Sequence, residues 1–281
     1  MNFSGRKNHL DEEREYHSPS SGIFFDVKKR LFNGTSPYQK IEVFENEAFG
    51  NVLFLDGLVQ TSEKDEYFYH EMIVHPAIMS HPSPKACLII GGGDGGTLKE
   101  ALKYPVEQIC LVEIDKLVIE ICQEYFPWLD IALKDPRAQL VIADGSAFVE
   151  KAENKFDVII IDSSEPLGPS SVLYGKEFYE KLKRSLNPGG IVAAQIGSPL
   201  FHLEILKRMS GMLRGLFPVV RFYWGPVPTY PGGTWSYVFL SEESLPSARE
   251  SEPPQGLKYY TPDIHRAAFA LPGFLKTFLD Q

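Results

Sequence analysis

The chain has 281 residues, 43% hydrophobic and 23% charged, enough for one large domain or a domain with a small accessory one. Its 37 acidic against 28 basic residues leave a formal charge of −9, which argues against a nucleic-acid-binding surface and suits cationic ligands. No apolar run approaches the roughly 18 residues of a bilayer span, and residues 1–22 lack the apolar stretch of a secretory signal, so a cytoplasmic protein without a membrane partner is expected.

In chain order, residues 1–20 are expected to be loosely ordered, with Asp11-Glu12-Glu13-Arg14-Glu15 as a solvated helix face. A β-rich stretch follows to about Ser62. Tyr38 to Phe44 alternates with period two, Val52 to Leu55 is a short apolar run, and Asn46 to Asn51 between them completes a hairpin pattern. Asp56-Gly57 is a second tight turn. Asp65 to Ser80 is predicted as a helix carrying Tyr69, His70 and Glu71. From Pro84 onward, buried strands are predicted at 86–90, 108–113, 138–143, 157–161, 190–195 and 235–240. Helices are predicted at 97–103, 116–125, 176–185 and 202–216. This alternation implies an α/β fold with a parallel, doubly wound sheet. Phe222-Tyr223-Trp224 is expected to fill core, and 242–256, rich in Ser, Glu and Pro, to form a surface loop. Three widely spaced cysteines, Cys87, Cys110 and Cys122, make neither a disulfide framework nor a zinc site.

In open α/β sheets ligands bind beyond the carboxyl ends of the strands. Asp94, Glu113, Asp144 and Asp162 all stand at or just after such ends. Like charges on one rim repel, so a function that uses them is the simplest compensation. The turn Gly91-Gly92-Gly93-Asp94-Gly95-Gly96 would let backbone approach a ligand, although such a turn is as often only a tight strand-to-helix connection. Glu113 follows it by about 20 residues, a spacing that suits a carboxylate accepting both ribose hydroxyls. Asp94 would repel a pyrophosphate. A nucleoside carrying positive charge, such as S-adenosylmethionine or its decarboxylated relative, fits better than a dinucleotide. His70 and His75, five apart, lie about 140° around a helix axis, not on one face as a zinc pair needs, so no metal site is expected.

These residues resemble the spermidine synthases. The resemblance rests on the glycine turn, Glu113-Ile114-Asp115, Asp144-Gly145 and Asp162-Ser163-Ser164-Glu165-Pro166-Leu167-Gly168-Pro169. It extends to Tyr38-Gln39, Leu55 to Gln60, Asp65 to Glu71, Pro228-Thr229-Tyr230-Pro231 and the tail Tyr259 to Arg266. It implies a Rossmann-like fold of the class I S-adenosylmethionine-dependent methyltransferase type with a small N-terminal β domain. The expected division is a flexible segment 1–20, an N-terminal β-hairpin domain with linking helix 21–80, and a catalytic domain 81–281. Transfer of an aminopropyl group from decarboxylated S-adenosylmethionine to putrescine is implied, with no further cofactor and assembly into a homodimer or homotetramer.

Residue by residue, the resemblance implies that Gln39 contacts the donor nucleoside, Asp94 binds the amino group of the aminopropyl chain, and Glu113 holds the ribose. Asp144 and Gly145 read the adenine edge, which Pro169 flanks. Tyr69 and His70 line the polyamine channel. Asp162 is the catalytic base, Ser163, Ser164 and Glu165 bind the acceptor, and Tyr230 helps to hold or activate it. Glu165 stands where the family usually carries a second aspartate, and Gly232 where it commonly has serine. The alternatives are another acceptor (agmatine, cadaverine or spermidine), a putrescine N-methyltransferase-like enzyme, and a binding protein without turnover.

Overall fold

A computed structural model describes residues 11–152, 155–164, 168–243, 245–247 and 252–279. Glu12–Ser18 (β1) and Ser21–Asp26 (β2) form an antiparallel hairpin. Residues 12–18 are thus strand, not loosely ordered and not a helix face. The period-two signal is hidden because its inward position is a glutamate: Glu15 is buried and accepts the Val59 N–H at 2.8 Å. The neighbouring acids are tied down by Arg30, whose guanidinium meets Asp11 at 2.6 Å and Glu13 at 2.5 Å.

Lys29–Thr35 (β3), Lys40–Asn46 (β4), Gly50–Leu55 (β5) and Leu58–Ser62 (β6) make a four-stranded meander. Its last turn places Asp56 and Gly57 at positive φ (49° and 81°), as the sequence pattern requires. Glu66–Ser80 (α1) then carries the chain into the second unit, with nearly every side chain buried.

That unit is built from Ala86–Gly91 (β7), Gly96–Ala101 (α2), Gln108–Glu113 (β8), Lys116–Tyr125 (α3), Pro127–Leu133 (α4) and Ala138–Ile142 (β9). Gly145–Glu150 (α5), Phe156–Asp162 (β10), a 3-10 segment Gly168–Tyr174, Lys176–Ser185 (α6) and Leu186–Gly197 (β11) follow. Leu203–Arg214 (α7), Val219–Pro226 (β12), Thr234–Ser241 (β13), Pro262–Ala268 (α8) and Gly273–Leu279 (α9) complete it. The strand order is β12-β13-β11-β10-β7-β8-β9. β7 to β11 run parallel, whereas β13 is antiparallel to both β11 and β12. The sheet is therefore mixed at one edge. The strand β12, absent from the sequence expectation, carries Phe222 and Tyr223 into the core.

Alternate residues of the central strands feed two cores, one on each face: Cys87 and Ile89 on one side, Leu88 and Ile90 on the other. This is the doubly covered pattern of a parallel sheet. The chain leaves β7 toward β8 and β9 on one side and returns to β10 and β11 on the other. The switch point of the sheet thus lies between the carboxyl ends of β7 and β10. The three cysteines are buried, and burial pushes the Cys87 thiol up to about 12 and that of Cys110 to about 11. Among the described residues no helix is long and apolar enough to cross a membrane.

Candidate active site

At the switch point a cavity of about 250 Å³ opens between the strand ends and the N-terminal sheet. The glycine turn makes room there for side chains of the chain itself. Gly91 (φ 80°) presses on the carbonyl of Asp162, where a Cβ would come within 2.2 Å. Gly92 donates its N–H to that carbonyl at 2.7 Å. A Cβ on Gly96 would lie 2.1 Å from the His70 ring.

Three side chains meet at the cavity floor. Asp162, the last residue of β10, accepts the Tyr69 hydroxyl on Oδ1 at 2.6 Å and the Thr97 hydroxyl on Oδ2 at 2.5 Å. Burial raises its pKa, and the neighbouring Asp94 carboxylate adds to that, although His70 and the two hydroxyls work against it. Asp94 accepts the Gly96 N–H on Oδ1 at 3.0 Å, and His70 Nε2 lies 3.1 Å from its Oδ2. Burial alone would raise Asp94. The His70 charge and the hydrogen bonds outweigh it and hold this carboxyl below the usual range. His70, Asp94 and Asp162 bring ligand-type atoms within 4.8 Å of one another, as a metal site would. Both imidazole nitrogens are nevertheless committed to carboxylates, Nδ1 to Glu66 at 2.8 Å and Nε2 to Asp94.

One side of the cavity is walled by the end of β8 and by Tyr38 and Gln39, just before β4. Glu113, at the end of β8, is buried and accepts the Asp115 N–H at 2.8 Å. Burial lifts its carboxyl to about 7, against the lowering by backbone N–H groups and with a further rise from Asp115 and Asp162. Gln39 also lines the cavity, but its side-chain amide donates to Asp115 Oδ2 at 3.0 Å, which the Ser36 hydroxyl shares at 2.6 Å. Asp144 caps α5 through the Ala147 N–H at 2.8 Å, and Gly145 packs so tightly on Ile90 that a Cβ would lie 2.4 Å from it. Both line the cavity.

On the opposite side, Tyr230 donates its hydroxyl to the Gln60 carbonyl at 2.5 Å and packs on Tyr69 and Trp235. Ser163 and Ser164 present their carbonyls to the Gln195 side chain at 2.6 and 3.3 Å. The Ser163 hydroxyl is buried with no hydrogen-bond partner among the described residues. Gln195 is held in turn by Trp235 Nε1 at 2.9 Å. Glu165 and the side chain of Pro169 lie outside the described residues.

Residues 66–250 match the spermine/spermidine synthase domain, and residues 13–63 match the spermidine synthase tetramerisation domain. The chain belongs to the spermine/spermidine synthase family. A polyamine aminopropyltransferase of Shouchella clausii is 42% identical over 92% of this chain and 95% of its own length. That of Bacillus subtilis is 41% identical over 94% and 97%. A crystal structure of a spermidine synthase in complex with the transition state analogue AdoDATO superimposes with a TM-score of 0.94 at 40% identity, covering 98% of this chain and 96% of the other. The Thermotoga maritima spermidine synthase gives 0.92, also at 40% identity, covering 98% and 95%. As a family member the chain is an aminopropyltransferase.

Of the residues singled out in the sequence, Gln39, Tyr69, His70, Asp94, Glu113, Asp144, Gly145, Asp162, Ser163, Ser164 and Tyr230 all line this one cavity. His70 meets Asp94 in its wall. Several of their partners escaped the sequence reading. Gln195 ends an apolar strand at the same rim as the acids, and that was its signal. Asp115 precedes a helical pattern as an N-cap would, and accepts the Leu117 N–H at 3.1 Å. Thr97 and Glu66 carried no distinctive signal beyond Glu66 standing one helical turn before His70.

Proposed function

We propose that this aminopropyltransferase moves the aminopropyl group of decarboxylated S-adenosylmethionine to putrescine, giving spermidine and methylthioadenosine. The observation that carries the reading is the pair Asp94 and Asp162. Both stand at the switch point of one cleft, Asp94 buried and Asp162 half-buried, the first held ionised by His70 and the second raised toward a useful base. The complex of a 40%-identical spermidine synthase with AdoDATO supports the donor class.

In this reading Glu113 accepts the ribose hydroxyls, Asp144 and Gly145 meet the adenine edge beside Pro169, and Gln39 touches the nucleoside. Asp94 receives the ammonium of the aminopropyl arm. Putrescine enters past Tyr230, with Ser163, Ser164 and Glu165 around its amines. Its attacking nitrogen, almost wholly protonated at pH 7 with a pKa near 10.4 by analogy with lysine, gives a proton to Asp162. The nitrogen lone pair then attacks the carbon next to the sulfonium. The C–N bond forms as the C–S bond breaks, and the electron pair leaves on sulfur as a neutral thioether. Burial raises the acid and lowers the amine, narrowing the gap that the proton must cross. Holding amine and sulfonium in line supplies more of the rate than the proton transfer.

Incubation with decarboxylated donor and a panel of amines, followed by mass analysis, tests this. Spermidine and methylthioadenosine from putrescine are expected. A clear preference for cadaverine, agmatine or spermidine would overturn the acceptor, and a methylated product the reaction.

The chain is further proposed to assemble as a homodimer or homotetramer through its N-terminal sheets. The match of 13–63 to a tetramerisation domain supports this, as do Tyr16 and Phe24, exposed on the outer face of the β1-β2 hairpin. A monomeric mass in light scattering would refute it.

A further inference from the structure

We propose that Glu66 is a positioning residue of this reaction: it holds His70 as an imidazolium donating from both nitrogens, and His70 in turn keeps Asp94 ionised and fixed toward the donor. The inference rests on the donor site proposed above. Its basis is a buried chain of alternating charge that the substrate roles leave unexplained. Lys99 Nζ meets Glu66 Oε1 at 2.7 Å, Glu66 Oε2 meets His70 Nδ1 at 2.8 Å, and His70 Nε2 meets Asp94 Oδ2 at 3.1 Å. Lys99 also lies 3.4 Å from Glu100, which Lys103 meets at 2.6 Å. Glu66 and His70 are one turn apart on α1, Lys99 comes from α2 and Asp94 from the glycine turn, so three elements must pack correctly for the chain to close.

The protonation state follows from counting donors. A neutral imidazole carries one N–H and one lone pair. Placed between two carboxylates, it would turn that lone pair on one of them. Only the imidazolium satisfies both. Burial of the ring opposes the charge, yet Asp94 and Glu66 together raise the His70 pKa well above its ordinary value. The other charged groups facing this cluster are Asp162 on β10, which feels the His70 charge, and Lys99 behind Glu66. The Cys122 thiol on α3, kept protonated by burial, feels the Asp94 charge. Gly96 backs the ring so closely that no side chain fits between. His70 therefore acts on the donor through Asp94 rather than on the acceptor.

Glu66→Gln tests this with little change of shape. Glutamine can offer its amide N–H to Nδ1, so the ring can sit neutral and still donate to Asp94. At lower pH the proton that the His70–Asp94–Asp162 cluster binds is no longer drawn to the ring by Glu66, so Asp94 carries a share of it, and a protonated Asp94 cannot hold an ammonium. The donor kcat/KM of the variant, taken as a ratio to wild type, should fall at least fivefold between pH 8.5 and pH 6, with the acceptor KM unchanged within twofold. In the ligand-free wild-type protein, nitrogen-15 NMR of the imidazole should show both His70 nitrogens protonated at pH 7.5, and the variant should lose that proton at least one pH unit lower. A neutral His70 in the wild type, a ratio flat with pH, or an effect confined to the acceptor KM would overturn the proposal. The NMR readout uses no substrate, so it stands or fails separately from the assigned reaction, and the wild-type spectrum decides even if the variant does not fold.

Discussion

The Tyr69 hydroxyl donates to Asp162 Oδ1 at 2.6 Å, joining the first turn of the largely buried helix α1 to the end of a central strand. With Thr97 on the other oxygen, it stabilises the carboxylate form of Asp162 inside a buried site. Tyr69→Phe removes one of the two hydroxyls. The Asp162 pKa should rise, and the acid limb of the kcat profile should move up by about one unit, since a hydrogen bond to a charged group is worth about 1.5–3 kcal/mol and one unit is about 1.4 kcal/mol. A profile superimposable on that of the wild type would show that Tyr69 does not tune Asp162.

Asp162→Asn keeps the shape of the site and its contact with Gly92 but cannot take a proton. Donor affinity by calorimetry should stay within a few fold, while kcat drops by about 10²–10⁴, the usual contribution of a positioned base. Near-normal turnover would remove Asp162 from that role.

Asp94 should also select the donor. Ordinary S-adenosylmethionine would bring a carboxylate near the amino group that Asp94 is proposed to hold. Two carboxylates about 4 Å apart repel by roughly 4 kcal/mol at an effective dielectric of 20, nearly three orders of magnitude in affinity. Asp94→Asn should lose most of that discrimination in a calorimetric comparison of the two compounds. Equal affinities for the wild-type protein would contradict it.

Glu113, lifted to about 7 by burial, makes the empty protein sensitive to pH. Its folded-state value lies above that of the unfolded chain, so its contribution is present in full below about pH 4.5 and is lost as pH rises through about 7. The ligand-free protein should give up on the order of 3 kcal/mol from this residue across that window. Glu113→Gln should flatten that part of the stability curve in denaturant titrations. An unaltered slope would place the charge elsewhere.

Glu71 holds the C-terminal tail. Its buried carboxylate accepts the N–H groups of Lys258, Tyr259 and Tyr260 at 2.8, 2.9 and 2.7 Å. Glu71→Gln keeps the volume but weakens these charge-assisted bonds, and should cost about 1.5–3 kcal/mol. Thermal unfolding would measure the loss, and hydrogen exchange should show faster opening of 258–260 while the central strands stay protected.

The central strands were legible in the sequence because each is a continuous apolar run, buried on both faces and bounded by turn residues. Glu113 and Asp162 were legible because each ends such a run. The hairpin β1-β2 was not, because its buried position is occupied by Glu15, whose partner is a backbone N–H across 44 residues. β12 was hidden for a different reason: its aromatic run read as core without showing that, among the described residues, it pairs with β13 alone. The antiparallel course of β13 depends on the connection after β12, which local pattern does not encode. Asp94 was visible as a charge in a glycine turn. The clamp of His70 and Glu66 around it depends on helix α1 crossing that turn, a tertiary fact.

Ser36 and Gln39 from the N-terminal sheet and the first turn of α3 all satisfy one side chain, Asp115, which stands two residues from Glu113. The two folding units are therefore not interchangeable modules. A chimera that grafted a foreign N-terminal sheet onto this larger half would leave an acceptor oxygen stranded beside Glu113 unless a hydroxyl and an amide returned to the same two places. Divergence in the small sheet is thereby tethered, at these positions, to the chemistry of the large one.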